Sequence, residues 1–338
     1  MKFIYEQVRR PGPPFHPGRA LRLGDCPPAL ASAPKLPSRD GSAPLFPPLS
    51  TPLLLRTPRS AHPPACVQDE GFEPFPLYPV LLDMKGDTLD VDTAASSDMY
   101  LGTLKEPPPG SPKTSKPRPR LPGVKVGVDA QRYVEKIKPV PTEGGTFQIR
   151  SRLIAVSAKG SGALTETESE LFDPASGDVY YRFVSGGFSI GAHSFKDGGT
   201  TSPAFAVTVP DREPDVVVEE HVDPRQAHVY RLSGDYNPLH IDPEFPGVAG
   251  GGFRAPILHG LCTMGHTIRQ VFKEYCGNDA SKFKACAVRF SSPVIPGETL
   301  VTKMWKDGDR VAFIAEVKET GKVCISNAYL DLGASPKL

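Results

Sequence analysis

The chain has 338 residues, 39% hydrophobic and 23% charged, with a formal net charge of +1. That length holds one large or two small domains. The near-neutral balance supplies no global field for nucleic acid or an anionic membrane, and no apolar run reaches the roughly 18 residues that a spanning helix needs.

The first ten residues, MKFIYEQVRR, lack the apolar stretch of a secretory signal. Of 39 prolines, 25 fall in residues 1–122. Pro lacks an N–H and fixes φ, so stretches such as KEPPPGSPKTSKPRPRLPG cannot sustain helices or sheet ladders. Residues 1–122 are therefore expected to be largely disordered, or polyproline-II-like. Such a stretch could be a ligand for SH3 or WW modules, or an unstructured insert, which is the preferred reading. Within it, residues 71–91 (GFEPFPLYPVLLDMKGDTLDV) carry enough Phe, Tyr and Leu to pack.

From residue 131 the pattern alternates. Strands are expected over 131–140, 146–158, 163–173 and 178–190, separated by Gly- or Pro-bearing turns. Residues 194–214 read as a polar crossover linker. Then follow a strand over 216–221, a short helix over 225–233, a motif loop and a long helix over 258–275. Four strands close the pattern, at 285–290, 299–306, 311–317 and 322–330. In the long helix Leu261, Met264, Ile268 and Phe272 recur at spacings of three or four, which makes one apolar stripe. A long helix followed by antiparallel strands points to an α+β fold with the sheet wrapped around the helix.

Residues 230–240 (YRLSGDYNPLH) concentrate the chemistry. Asp235, Asn237 and His240 fall within six positions, between Gly234, which tolerates positive φ, and Pro238, which stiffens the turn. An acid and an imidazole on one bent loop can converge on a small molecule, as general acid–base catalysis requires. The plainer alternatives are a turn-capping Asp235 and a His240 satisfied by a backbone carbonyl. Asn237 can orient a water or the imidazole through its amide. Next, residues 256–261 (PILHGL) open the long helix, where unpaired N–H groups and partial positive charge collect. Gly260, without a side chain, would let a carbonyl oxygen approach its N–H as an oxyanion hole. The alternative is a Gly required only for close packing.

YRLSGDxNPLHID together with PILHGLCT resembles the signature of the type-2 enoyl-CoA hydratases, the MaoC-like branch of the hotdog superfamily. It resembles the unit found in peroxisomal multifunctional enzymes, with likeness running from about residue 121 to 332 and taking in RFSSPVIPGETL. The resemblance implies a double hotdog whose first half is degenerate and carries the Pro-rich inserts. Residues 123–193 would be the N-terminal half, which accommodates acyl tails; 194–214 the linker; and 215–333 the catalytic half. The implied reaction is hydration of trans-2-enoyl-CoA to the (3R)-3-hydroxyacyl-CoA in fatty-acid β-oxidation. Asp235 and His240 would activate water, Asn237 would position it, and Gly260 would bind the thioester oxygen. Pro238, His259 and Leu261 would line the substrate. Family members carry a further acid in a segment like KFIYE, which makes Glu6 a candidate. No cofactor is implied, coenzyme A being part of the substrate.

Other chemistries fit less well. Asp235, Asn237, His240, Asp242 and His259 match neither H-E-x-x-H nor an EF-hand loop, so no metal is expected. The one G-x-S-x-G string, residues 187–191 (GFSIG), sits at the end of an expected strand and opens no helix, so it makes no elbow, and a strand–G-x-G-x-x-G–helix unit is missing. These argue against a serine hydrolase and a dehydrogenase. Six scattered cysteines (Cys26, Cys66, Cys262, Cys276, Cys286, Cys324) without a C-x-x-C pair fit a reducing compartment. The ending Pro336-Lys337-Leu338 approximates the S-K-L address and, with the resemblance, implies a peroxisomal import receptor and a peroxisomal location. Expected partners are an acyl-CoA and a second copy in a homodimer. The competing functions are a non-catalytic acyl-CoA-binding protein with a disrupted first half, and a hotdog thioesterase.

Overall fold

The structure, a computed structural model, describes residues 74–82, 121–141, 145–245, 253 and 255–333. Most of the Pro-rich region, Glu6 and the terminal Pro336, Lys337 and Leu338 lie outside the described residues. The strands are β1 (Val126–Lys136), β2 (Gln148–Lys159), β3 (Gly162–Phe172), β4 (Val179–Ile190), β5 (Gly198–Gly199) and β6 (Val216–His221). They continue with β7 (Phe283–Phe290), β8 (Thr299–Asp307), β9 (Arg310–Val317) and β10 (Lys322–Leu332). Two α-helices are described, α1 (Gln226–Tyr230) and α2 (Gly260–Cys276).

All ten strands join one antiparallel sheet in the order β5-β2-β3-β4-β1-β7-β10-β9-β8-β6. The order β2-β3-β4-β1 is mirrored by β8-β9-β10-β7, and the two halves meet where β1 pairs with β7. This is a double hotdog. Each of the nine expected strands is present; the two-residue β5 is an addition inside the expected linker 194–214, and one strand is notably shifted. β1 begins at Val126, ahead of the expected 131, because β4 is long enough to pair it from Ile190 onward although the segment does not alternate.

The second half wraps α2 more closely than one apolar stripe suggests. Met264, Ile268, Val271 and Phe272 are buried as expected, but so are Cys262, Thr263, Thr267 and Gln270. The helix is enclosed on several sides. Thr267 tolerates burial by donating its hydroxyl back to the Thr263 and Met264 carbonyls at 3.1 Å. On the edge strand β6, Glu220 points inward and accepts hydrogen bonds from His266, Arg269 and Gln270 of α2. Burial raises its pKa, but the His266 and Gln270 hydrogen bonds and the nearby His266 and Arg269 charges outweigh this and hold it to about 2.

The first half shows no α-helix among its described residues. Residues 74–82 lie against it instead, with a short 3-10 turn over Tyr78–Leu81. Phe75 and Leu77 are buried in the main core, and the Phe75 ring meets the Phe272 edge at 6.0 Å. Residues 71–91 were expected to pack, and the part described does. The sheet's other face is covered by the crossover, where Phe205 packs with Val184, Ala287 and Tyr329.

Phe272 joins the helix, the sheet and residues 74–82. Phe272→Ala should therefore destabilise the protein by about 3–5 kcal/mol in denaturant unfolding; a loss below about 1 kcal/mol would mean the segment is not held there.

Candidate active site

The expected helix over 225–233 is broken in a way that creates the site. α1 stops at Tyr230, tightens into a 3-10 turn over Arg231–Ser233, and ends at Gly234 with φ 108°. Only a residue without Cβ adopts that angle easily. The chain reverses there, and Pro238–His240 forms a second 3-10 turn. Asn237 caps it: its side-chain oxygen accepts the Leu239 N–H at 3.0 Å. Asp235 in turn accepts the Asn237 N–H at 3.2 Å. Both side chains thus stiffen the loop that presents them.

This loop is locked to the start of α2 from both directions. His240 Nδ1 lies 2.8 Å from the Ile257 carbonyl, and His259 Nε2 lies 3.2 Å from the Asp235 carbonyl. A carbonyl can only accept, so each of these nitrogens carries the hydrogen. That settles the tautomers: neutral His240 keeps its lone pair on Nε2, and neutral His259 keeps its lone pair on Nδ1. Backbone bonds from Ile257 to Leu239 and from Leu258 to Val294 hold the receiving segment.

Sequence-predicted residues converge here. One ligand-type atom each from Asp235, His240 and His259 lies within 4.8 Å of the other two. The imidazole rings of His240 and His259 are stacked with centroids 3.7 Å apart and planes 26° apart. A carboxylate and an imidazole at the separation of Asp235 and His240 can exchange a proton through one water.

Burial lowers the pKa of His240, against the opposing pull of the Asp235 carboxylate and the bond to Ile257. Burial also holds His259 down to about 3, with the neighbouring His240 adding to the effect. His259 is only 1% exposed. It therefore supports His240 from beneath, where the sequence suggested a substrate contact. Pro238 and Leu261 are half-buried at the edge of the site.

Gly260 is the first residue of α2, so no carbonyl one turn earlier in the helix takes up its N–H. The nearest atoms to a Cβ added there belong to the Phe290 ring, at 3.4 Å, an ordinary contact. Close packing therefore does not demand glycine at this position.

The first half also reaches the site. Asp129 precedes a bulge in β1 and pairs with Arg132, Nε to carboxylate at 2.8 Å. Burial raises the Asp129 pKa; Arg132 opposes the shift and the Asp235 charge adds to it. Tyr230 registers the charges of Asp235, Arg132 and Asp129 as well. Sequence reasoning missed Asp129 and Arg132. They lie about a hundred residues from the motif, and no local pattern marks them.

A family profile described as "MaoC like domain" matches residues 205–328. The crystal structure of a MaoC-like dehydratase from Phytophthora capsici superposes with a TM-score of 0.65 at 39% identity, covering 79% of this chain and 86% of that one. The chain belongs to the MaoC-like family. Within that family, enoyl-CoA hydratase 2, peroxisomal, of Arabidopsis thaliana is 39% identical over 225 residues, 63% of this chain and 71% of the relative. Peroxisomal multifunctional enzyme type 2 of Drosophila melanogaster is 46% identical over 209 residues. That match covers 61% of this MaoC-like chain but 34% of the longer protein, so the chain spans about a third of that relative.

Both stacked histidines have folded pKa values below the ordinary 6.5. Below pH 6.5 the unfolded chain therefore binds more protons than the folded one, and stability falls as pH is lowered towards about 3. The melting temperature should be level above pH 6.5 and decline below it. His259→Phe, which removes the lower-titrating ring, should flatten that decline.

Proposed function

We propose that this chain adds water across the double bond of trans-2-enoyl-CoA thioesters. The observation that carries the reading is the convergence of Asp235 and His240 on one loop that is hydrogen-bonded to the segment leading into α2, whose first residue is Gly260. The thioester oxygen would accept the Gly260 N–H, where the start of α2 favours developing negative charge. Polarisation makes the β-carbon electrophilic. Water held between the Asp235 carboxylate and His240 Nε2 attacks that carbon. As the C–O bond forms, His240 Nε2 takes the water proton, and the Asp235 carboxylate stabilises the resulting imidazolium. The proton then passes to the α-carbon, the π bond is consumed and the imidazole is neutral again. Asn237 positions the pair through the turn it caps. The relatives' names support enoyl-CoA hydration and a peroxisomal setting; a (3R)-hydroxyacyl product and a place in β-oxidation are what the resemblance of the motif implies.

The rest of the chain is assigned in the same terms. The half from 215 to 333 carries the chemistry, and the half from 123 to 193 accommodates the acyl tail. That division rests on the family likeness; the cavity beside Arg132, lined by Val80, Val134, Ile149, Phe183, Ser169 and Ser185, is about 50 Å³, smaller than an acyl tail. A homodimer and uptake through a receptor reading Pro336-Lys337-Leu338 complete the proposal.

The test is the enone absorbance of crotonyl-CoA and of a longer enoyl-CoA with purified protein. Loss of absorbance without release of CoA thiol supports hydration. Thiol release would instead identify a thioesterase, and no change a non-catalytic binder. Asp235→Asn and His240→Gln should each lower kcat by roughly 10²–10⁴-fold at unchanged fold; full activity in either contradicts its role. Because His240 acts neutral, the acid limb of kcat/KM should fall below the ordinary histidine value, with activity lost as pH drops through it.

A further inference from the structure

His240 is one layer of a stack. Beneath it lies His259 at 3.7 Å, and beneath His259 lies the Tyr230 ring at 4.7 Å. His259 is 1% exposed, and its Nδ1 has no hydrogen-bond partner among the described residues. A buried acceptor without a partner destabilises the fold, and a phenylalanine of nearly the same shape would avoid that. Packing alone therefore does not explain an imidazole here. What the imidazole adds is its Nε2–H, donated to the Asp235 carbonyl.

The charged and titratable groups around the stack come from α1, its loop, β1 and α2, the last bringing the Cys262 thiol near Tyr230. Asp235 and Arg231 face both histidines from the end of α1 and its loop. Tyr230 lies beneath, on α1 itself. From β1, the Asp129–Arg132 pair acts on Asp235 and Tyr230. With so many charges close by, a second charged imidazole against His240 would oppose the imidazolium that the proposed reaction forms. An uncharged ring of the same size does not.

We propose that His259 is a positioning residue for the hydration step: as an uncharged ring it shields the buried face of His240 from water, while its N–H pins the carbonyl of Asp235. The proposal rests on the hydratase reading for its kinetic part. It adds that one side chain acts on both reacting groups without touching substrate, and that its two actions are separable. The flat ring shields, and the donor pins.

The experiment uses the full chain with His259→Phe and His259→Gln, and three readouts: the kcat/KM pH profile on crotonyl-CoA, the His240 titration by NMR, and the melting temperature. Phe keeps the ring and loses the donor. It should still fold, with the gain at Nδ1 and the donor lost from the Asp235 carbonyl opposing each other in the melting temperature, keep the acid limb in place and lose about 10²-fold in kcat/KM through misplacement of Asp235. Gln keeps a donor and loses the ring. Water then reaches His240, and both its NMR titration and the acid limb should move up towards about 6.5. A uniform loss of rate in both variants, with the acid limb and the His240 titration unmoved, would overturn the proposal and leave His259 a structural residue. So would parent-like kinetics in both. Should the parent hydrate no enoyl-CoA, the functional reading fails while the His240 titration in the Gln variant still decides the shielding claim. Should the Phe variant fail to fold, the same titration in the Gln variant decides alone.

Discussion

Two hydrogen bonds running in opposite directions hold this site together. The loop gives His240 Nδ1–H to the Ile257 carbonyl, and the segment before α2 gives His259 Nε2–H back to the Asp235 carbonyl. Each bond orients one imidazole and fixes its tautomer, so the nitrogen left with a lone pair on His240 is Nε2. A single bond would allow the loop to pivot. The reciprocal pair, with the rings stacked between, leaves it little freedom. Catalytic positioning of this kind depends on support as much as on the reacting groups.

The fold exists largely to make that lock available. α2 must start next to the loop, so the helix is enclosed by the second half's sheet and braced by Phe75 and Leu77 from residues 74–82. Glu220 ties the edge strand to the same helix through His266, Arg269 and Gln270. β1 then brings Asp129 and Arg132 into the electrostatic surroundings of Asp235. The two hotdog halves thus contribute unequally: one carries the motif loop and the helix start, the other a charged pair and the wall of a cavity.

Much of this was legible in the chain. Alternation marked the strands, since a half-buried sheet demands it, and the spacing of Met264, Ile268 and Phe272 marked α2. Gly234 betrayed the reversal because few other residues tolerate its positive φ, and Pro238 because its fixed φ suits the first position of the turn that follows. Three features were not legible. The start of β1 depends on a partner strand some sixty residues away. The burial of Thr263, Thr267 and Gln270 on the polar side of α2 depends on what encloses it. The stacking of His259 under His240, and the nearness of Asp129, are tertiary facts to which no short motif points. Glu6 lies outside the described residues, so it stays an expectation from resemblance alone.

Hydration by the Asp235/His240 pair has a geometric consequence that one structure can test. A crystal structure with bound (3R)-3-hydroxybutyryl-CoA should place the 3-hydroxyl about 2.6–3.2 Å from both the Asp235 carboxylate and His240 Nε2, with the thioester oxygen on the Gly260 N–H. A thioester seated away from the start of α2, or a His240 ring turned so that Nδ1 meets the hydroxyl, would contradict it.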